Sequence, residues 1–213
     1  MARTDPHDLA GELAYVKTLA EEGRNAPLVG GAIYLIWGAV VAAASLLNYF
    51  AFTGALSLPF LGGLWFWVAA FAVGWGVSFA YGARRRGRPG ALTIGNKTAS
   101  AAWFAVGLFL SIFWIAAMVF RGHFKSIGVE PGLVFGLIFP IAFGAYGIAF
   151  FATAVAASLD WMRGFAGAAW IFSVAALYFV GDEKQFLIGA VGSLVCAALP
   201  GVLLMRREPS DIV

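Results

Sequence analysis

The stretch from Pro131 to Ala157 contains no charged residue, and it limits what this chain can become. The hydrocarbon core of a bilayer is roughly 30 Å thick, and about 20 helical residues cross it. A run this long and apolar reads as a membrane-spanning helix, because in lipid a helix satisfies its own backbone N–H and C=O groups. Gly132, Gly136, Pro140 and Gly144 recur every fourth residue, so they form one winding ridge on that helix. Bare backbone along such a ridge lets neighbouring helices approach closely. Pro140 lacks a backbone donor and crowds the carbonyl four residues earlier, which predicts a kink near Gly136.

Further apolar runs follow the same logic. The predicted spans are Leu28–Phe50, Leu58–Gly82, Ala99–Phe120, Gly132–Ala157, Phe165–Val180 and Phe186–Met205. Only 12% of the 213 residues are charged and 62% are hydrophobic, against about 25% charged in an ordinary soluble domain. The expected fold class is all-α: a polytopic membrane protein of six transmembrane helices, arranged as three hairpins. A cytoplasmic arm over residues 1–27 precedes the transmembrane domain of residues 28–205, and a short cytoplasmic tail, 206–213, follows it. In the arm, Leu9, Leu13, Val16 and Leu19 recur at helical spacing after Asp5 and Pro6, which predicts a short amphipathic helix. The first apolar run begins only at Pro27 and exceeds a typical signal-peptide core, so no cleaved leader is expected.

The basic residues set the orientation. Eleven fall on one side of the predicted topology and only Arg121, Lys125 and Lys184 on the other. By the positive-inside rule both termini lie in the cytoplasm, and the expected location is a bacterial inner membrane. The densest cluster, Arg84, Arg85, Arg86 and Arg88, caps the second span and suits anionic lipid head groups. The formal charge of +3 is carried in loops beside spans, so no nucleic-acid partner is expected.

No pattern points to catalysis. His7 and His123 fall on opposite sides, and neither a Cys/His cluster nor an HExxH pattern is present. No enzyme activity, metal or cofactor is expected. Charges are absent from the central parts of the spans, where a coupled transporter would need them. Aromatic residues are plentiful instead. Trp37, Trp75, Trp103 and Trp170 fall about two turns inside the spans. Together with Tyr146 they are the candidates for an apolar pocket. Trp65, Trp67, Trp114 and Trp161 fall near predicted interfaces and fit an aromatic belt. Rows of small residues recur in the second span (Ala70, Gly74, Ser78, Gly82) and the sixth (Gly189, Ser193, Ala197, Gly201). Ala101-Ala102-Trp103-Phe104 and Ala168-Ala169-Trp170-Ile171 open the third and fifth spans alike, the basis for expecting repeated hairpins.

The segment Glu21-Glu22-Gly23-Arg24-Asn25-Ala26-Pro27-Leu28-Val29-Gly30-Gly31, followed by a span, resembles uncharacterised six-span bacterial inner-membrane proteins. That resemblance implies a fold and a location but no activity. The three-hairpin plan is also similar, in plan alone, to small acid-resistance membrane proteins built from helical-hairpin repeats. The leading expectation is a non-enzymatic inner-membrane interaction or accessory protein. Its partners would be membrane lipids and either further copies of itself or another membrane protein. The alternative is a small carrier for an apolar or aromatic compound that uses the kinked fourth span.

Overall fold

The computed structural model describes residues 28–61, 63–84 and 93–208, together with Gly11, Ala14, Tyr15 and Lys17. The regular elements among the described residues are helices, with no strand. They are α1 (Gly31–Phe52), α2 (Leu64–Arg84), α3 (Ile94–Val119), α4 (Arg121–Ser126), α5 (Pro131–Gly136), α6 (Ile138–Ala156), α7 (Trp161–Tyr178), α8 (Lys184–Ser193) and α9 (Leu199–Met205). A π-helical turn, Leu194–Ala198, joins α8 to α9. Among the described residues, five stretches are long and apolar enough to cross a membrane: Gly31–Phe52, Trp65–Ala83, Gly95–Val119, Pro131–Ala156 and Lys184–Met205. The predicted fifth span corresponds to α7, which includes Arg163 and is not among the five.

Local chemistry sets the boundaries. The α3 helix starts several residues before the expected Ala99, because Thr93 caps it: its hydroxyl accepts from the Asn96 N–H at 3.4 Å. Pro131 opens α5, where a missing N–H removes no helical bond. The first amides of α1 are capped from the far end of the chain. Gly30 and Gly31 donate to Glu208 Oε1 at 2.8 and 2.9 Å, a carboxylate placed at the positive end of the helix dipole. The neighbouring Val29 N–H donates to Asn96 Oδ1 at 2.8 Å, and the Arg207 guanidinium lies 5.0 Å from the Trp161 ring centre.

The order of neighbours is α2, α1, the α8–π–α9 segment, α7, α6, α3. The most extensive contact joins α6 to α7, the fourth and fifth predicted spans, which belong to different predicted hairpins. Small residues make the close approaches. A Cβ at Gly201 would sit 2.6 Å from Leu35 N and 2.7 Å from Gly31 O, and Gly38 meets the backbone of Ala198. On the same segment, Gly189 lies against the Phe139 ring and Gly192 against that of Phe143. Pro200 has no N–H for the Cys196 carbonyl, and the local backbone widens: the Leu199 N–H reaches Leu194 O. The principal core gathers Phe150, Met162, Ala166, Ala169 and Cys196, all fully buried. The outward faces are apolar, with Val119, Ile148, Ile171 and Val174 exposed.

The expected amphipathic face of the arm (Leu9, Leu13, Val16, Leu19) lies outside the described residues. Gly11, Ala14, Tyr15 and Lys17 are helical and exposed. Arg84 ends α2, while Arg85, Arg86 and Arg88 lie outside the described residues, as does the tail beyond Glu208.

Because α1 meets the π turn backbone on backbone at Gly38 and Ala198, Gly38→Leu should lower unfolding stability by about 1–3 kcal/mol through overpacking. Gly76→Ala, where nothing lies within 4 Å, should leave it unchanged or raise it slightly. Thermal unfolding of the detergent-solubilised variants checks both.

Candidate functional site

The site begins at the break in the fourth predicted span. Pro140 offers no N–H to Gly136, and the helix is interrupted at Leu137 between α5 and α6. The freed Gly136 carbonyl accepts instead from Gln185 Nε2 at 2.7 Å. The same nitrogen donates to Ala176 O at 2.8 Å. That second carbonyl is free because the end of α7 tightens, with Val180 N bonded to Leu177 O. One buried amide group thus satisfies two orphaned carbonyls on two helices. Ser173 Oγ adds a third tie, donating to Pro140 O at 2.6 Å. The expected ridge divides here. Pro140 is buried, Gly136 lies against Val180 and Gln185, and Gly144 lies against Ser173, whereas Gly132 is exposed.

Beside this break lies a cavity of about 1370 Å³ between α1, α2, α3 and α5–α6. Its walls follow from helical periodicity. Trp67, Phe71 and Trp75 are one turn apart on α2, and Trp103, Gly107, Leu110 and Trp114 share a face of α3. From α1 come Tyr34 and Trp37, and from α6 Phe139 and Tyr146. The rings meet edge to face or tilted, the arrangement their quadrupoles favour. Trp37 and Trp75 are 5.5 Å apart, Tyr34 and Trp103 4.7 Å, Trp103 and Tyr146 5.4 Å, and Trp67 and Phe139 5.9 Å. Side chains bridge α2 and α3 as well: Phe71 meets Trp114 at 5.8 Å, and a Cβ at Gly107 would stand 3.3 Å from the Trp75 ring.

Polar groups are few and placed. Asn48 is 2% exposed; it donates to Leu61 O at 2.8 Å and accepts from Trp67 Nε1 at 3.0 Å, which fixes that indole at the wall. Ser78 Oγ is buried, and the residue lines the cavity; the hydroxyl has no hydrogen-bond partner among the described residues. The cavity reaches Leu28 and Leu204 at one end, and Arg121, Glu130, Asp182 and Glu183 at the other.

Of the five predicted pocket residues, Trp37, Trp75, Trp103 and Tyr146 line this one cavity, and Trp170 does not. On α7 the buried row is Met162, Ala166, Ala169 and Ala176, and Trp170 falls one residue past it. One residue is about 100° of rotation. Its indole instead contacts Gly147 and stacks on Phe151, 6.3 Å away, and the residue is 42% exposed. Conversely, Trp67 and Trp114, expected in an aromatic belt, face the cavity. The four-residue spacing of Trp67, Phe71 and Trp75 was the available signal for that face. Gln185 had no such signal, since its role depends on carbonyls freed elsewhere.

Among the described residues no group of three or more His, Cys, Asp or Glu is gathered as a metal site would require. Comparison of the chain with protein-family models, curated proteins and solved structures finds no match. The fold defines an all-helical protein with several helices able to cross a membrane, built beside an aromatic cavity.

Gln185→Leu should destabilise the protein by about 1–3 kcal/mol for each carbonyl left unpaired. Pro140→Ala restores the N–H that Gly136 O lacks, so the double variant should recover part of that loss. A double-mutant cycle on thermal unfolding measures the coupling. Strict additivity would show that Gln185 does not serve the proline gap.

Proposed function

We propose that this protein is a six-pass inner-membrane protein that binds, and carries within the membrane, a small apolar or aromatic compound. The observation that carries the reading is the ring-lined cavity of about 1370 Å³ beside the interrupted helix. Binding pockets for small molecules are concave, mostly apolar and furnished with a few placed polar groups. A space with these walls suits a flat hydrophobic ligand. The α5–α6 interruption supports movement, because discontinuous helices are where membrane carriers bind and bend. Six passes require α7 to cross as well; its exposed Ile171, Val174 and Leu177 favour that over a surface position.

The competing reading is a non-enzymatic accessory protein that assembles through small-residue faces with its own copies or a membrane partner. It is the weaker of the two. Gly31, Gly38, Gly189, Gly192 and Gly201 are occupied by contacts within this chain, so those rows are not left for a partner. Lipids remain the expected surroundings, with the Arg84, Arg85, Arg86 and Arg88 cluster toward cytoplasmic head groups. No catalytic role enters this reading.

Two measurements test it. In lipid nanodiscs, a neutral naphthalene-based probe should quench the intrinsic tryptophan fluorescence saturably. Gly107→Phe, which would fill the space beside Trp75, should weaken that binding about tenfold or more. Unsaturable quenching that is the same in both proteins would reject a specific cavity site. For topology, single cysteines at Ser126→Cys and Arg88→Cys, in a Cys196→Ser background, should react oppositely with an impermeant thiol reagent in intact cells. Labelling is expected at position 126 alone, and labelling at 88 alone would reverse the orientation.

A further inference from the structure

The charged end of the cavity specifies its ligand further than the rings do. Glu130, Asp182, Glu183 and Arg121 line that end, three carboxylates against one guanidinium. Asp182 is partly offset by Lys184, 3.9 Å away. Glu130 and Glu183 are exposed, and neither has an ion-pair partner among the described residues. Gln185, two residues after Glu183, is only 4% exposed and also lines the cavity. Its amide nitrogen is committed to Gly136 O and Ala176 O. Those two bonds orient the side chain and leave Oε1, which has no hydrogen-bond partner among the described residues, as an open acceptor on the cavity wall. That oxygen lies beside Gly136, itself a lining residue.

We infer that the ligand is a protonated amine with an apolar or aromatic body, its ammonium held at this end by Gln185 Oε1 and the neighbouring carboxylates. The inference rests on the cavity reading above and adds the head group. An ammonium supplies N–H donors to that open acceptor, whereas an aromatic hydrocarbon would cover it without offering it a bond. Charge-assisted bonds of that kind are the stronger ones. The excess of carboxylates attracts a cation and disfavours an anion. Tryptophan and tyrosine faces add a favourable interaction with any cation that passes them.

The test is equilibrium binding of tritiated naphthylethylamine, naphthylethanol and naphthylacetate to the full-length protein in nanodiscs of zwitterionic lipid, at neutral pH. The ammonium compound should bind at least about tenfold more tightly than the alcohol, and the carboxylate most weakly. Glu130→Gln/Glu183→Gln alters two exposed side chains, and its fold is checked by an unchanged melting transition. In that variant the advantage of the ammonium over the alcohol should shrink several-fold. Equal binding of amine and alcohol to the native protein would overturn the head-group assignment while leaving the cavity reading intact. So would an undiminished advantage in the double variant. Failure of all three compounds to bind would remove the cavity reading, and this inference with it.

Discussion

A proline inside an apolar helix creates a debt of one hydrogen bond, and the surrounding structure depends on how that bond is replaced. In water the orphaned carbonyl of Gly136 would be solvated at little cost. Within a membrane no solvent is available, and an unpaired carbonyl costs several kcal/mol. Gln185 resolves this by reaching across from the start of α8, and it simultaneously serves Ala176 at the end of α7. The α5–α6 break, the α7 terminus and the α8 start therefore share one hydrogen-bonding side chain, and Ser173 adds a bond to Pro140 O. A second proline, Pro200, is accommodated differently, through a local π turn. In both places the backbone departs from regular helix where the sequence holds a proline.

The two halves of the bundle are built on different principles. Around α1, α6, α7 and α8–α9 the packing is close, with alanine and glycine against backbone and Phe143, Phe150 and Met162 filling the interior. Around α2 and α3 it is open, and large rings rather than backbones make the contacts between them. Rings that touch at their edges leave space between their faces. The cavity is the geometric consequence of placing tryptophan where the other half places glycine, and the proposed binding of a flat apolar compound follows from that contrast.

Much of this was readable in the chain. Uninterrupted apolar length gave the helices, since no other spanning structure satisfies its own backbone so locally. The interruption next to Gly136 followed from Pro140. The small-residue rows were visible as patterns, but a row names no partner: Gly201 meets α1, while Gly189 meets Phe139. The gathering of Trp37, Trp75, Trp103 and Tyr146 was anticipated, and the position of Trp170 was not. Hydropathy gives the depth of a residue, whereas the rotation of a helix about its axis is set by packing. The same limit hid Trp67 and Trp114, whose depth suggested a belt and whose rotation turns them inward. Gln185 looked like an ordinary polar residue after the Gly181-Asp182-Glu183-Lys184 turn, because its function lies in carbonyls far away in sequence.

The most direct measurement of the central claim is an experimental structure of the protein equilibrated with a brominated naphthalene, with the halogen located by its anomalous scattering. Bromine peaks are expected among Trp37, Trp75 and Trp103, with α2 and α3 held apart by their rings. Bromine confined to the lipid-facing surface, with α2 collapsed onto α3 and the cavity closed, would contradict it.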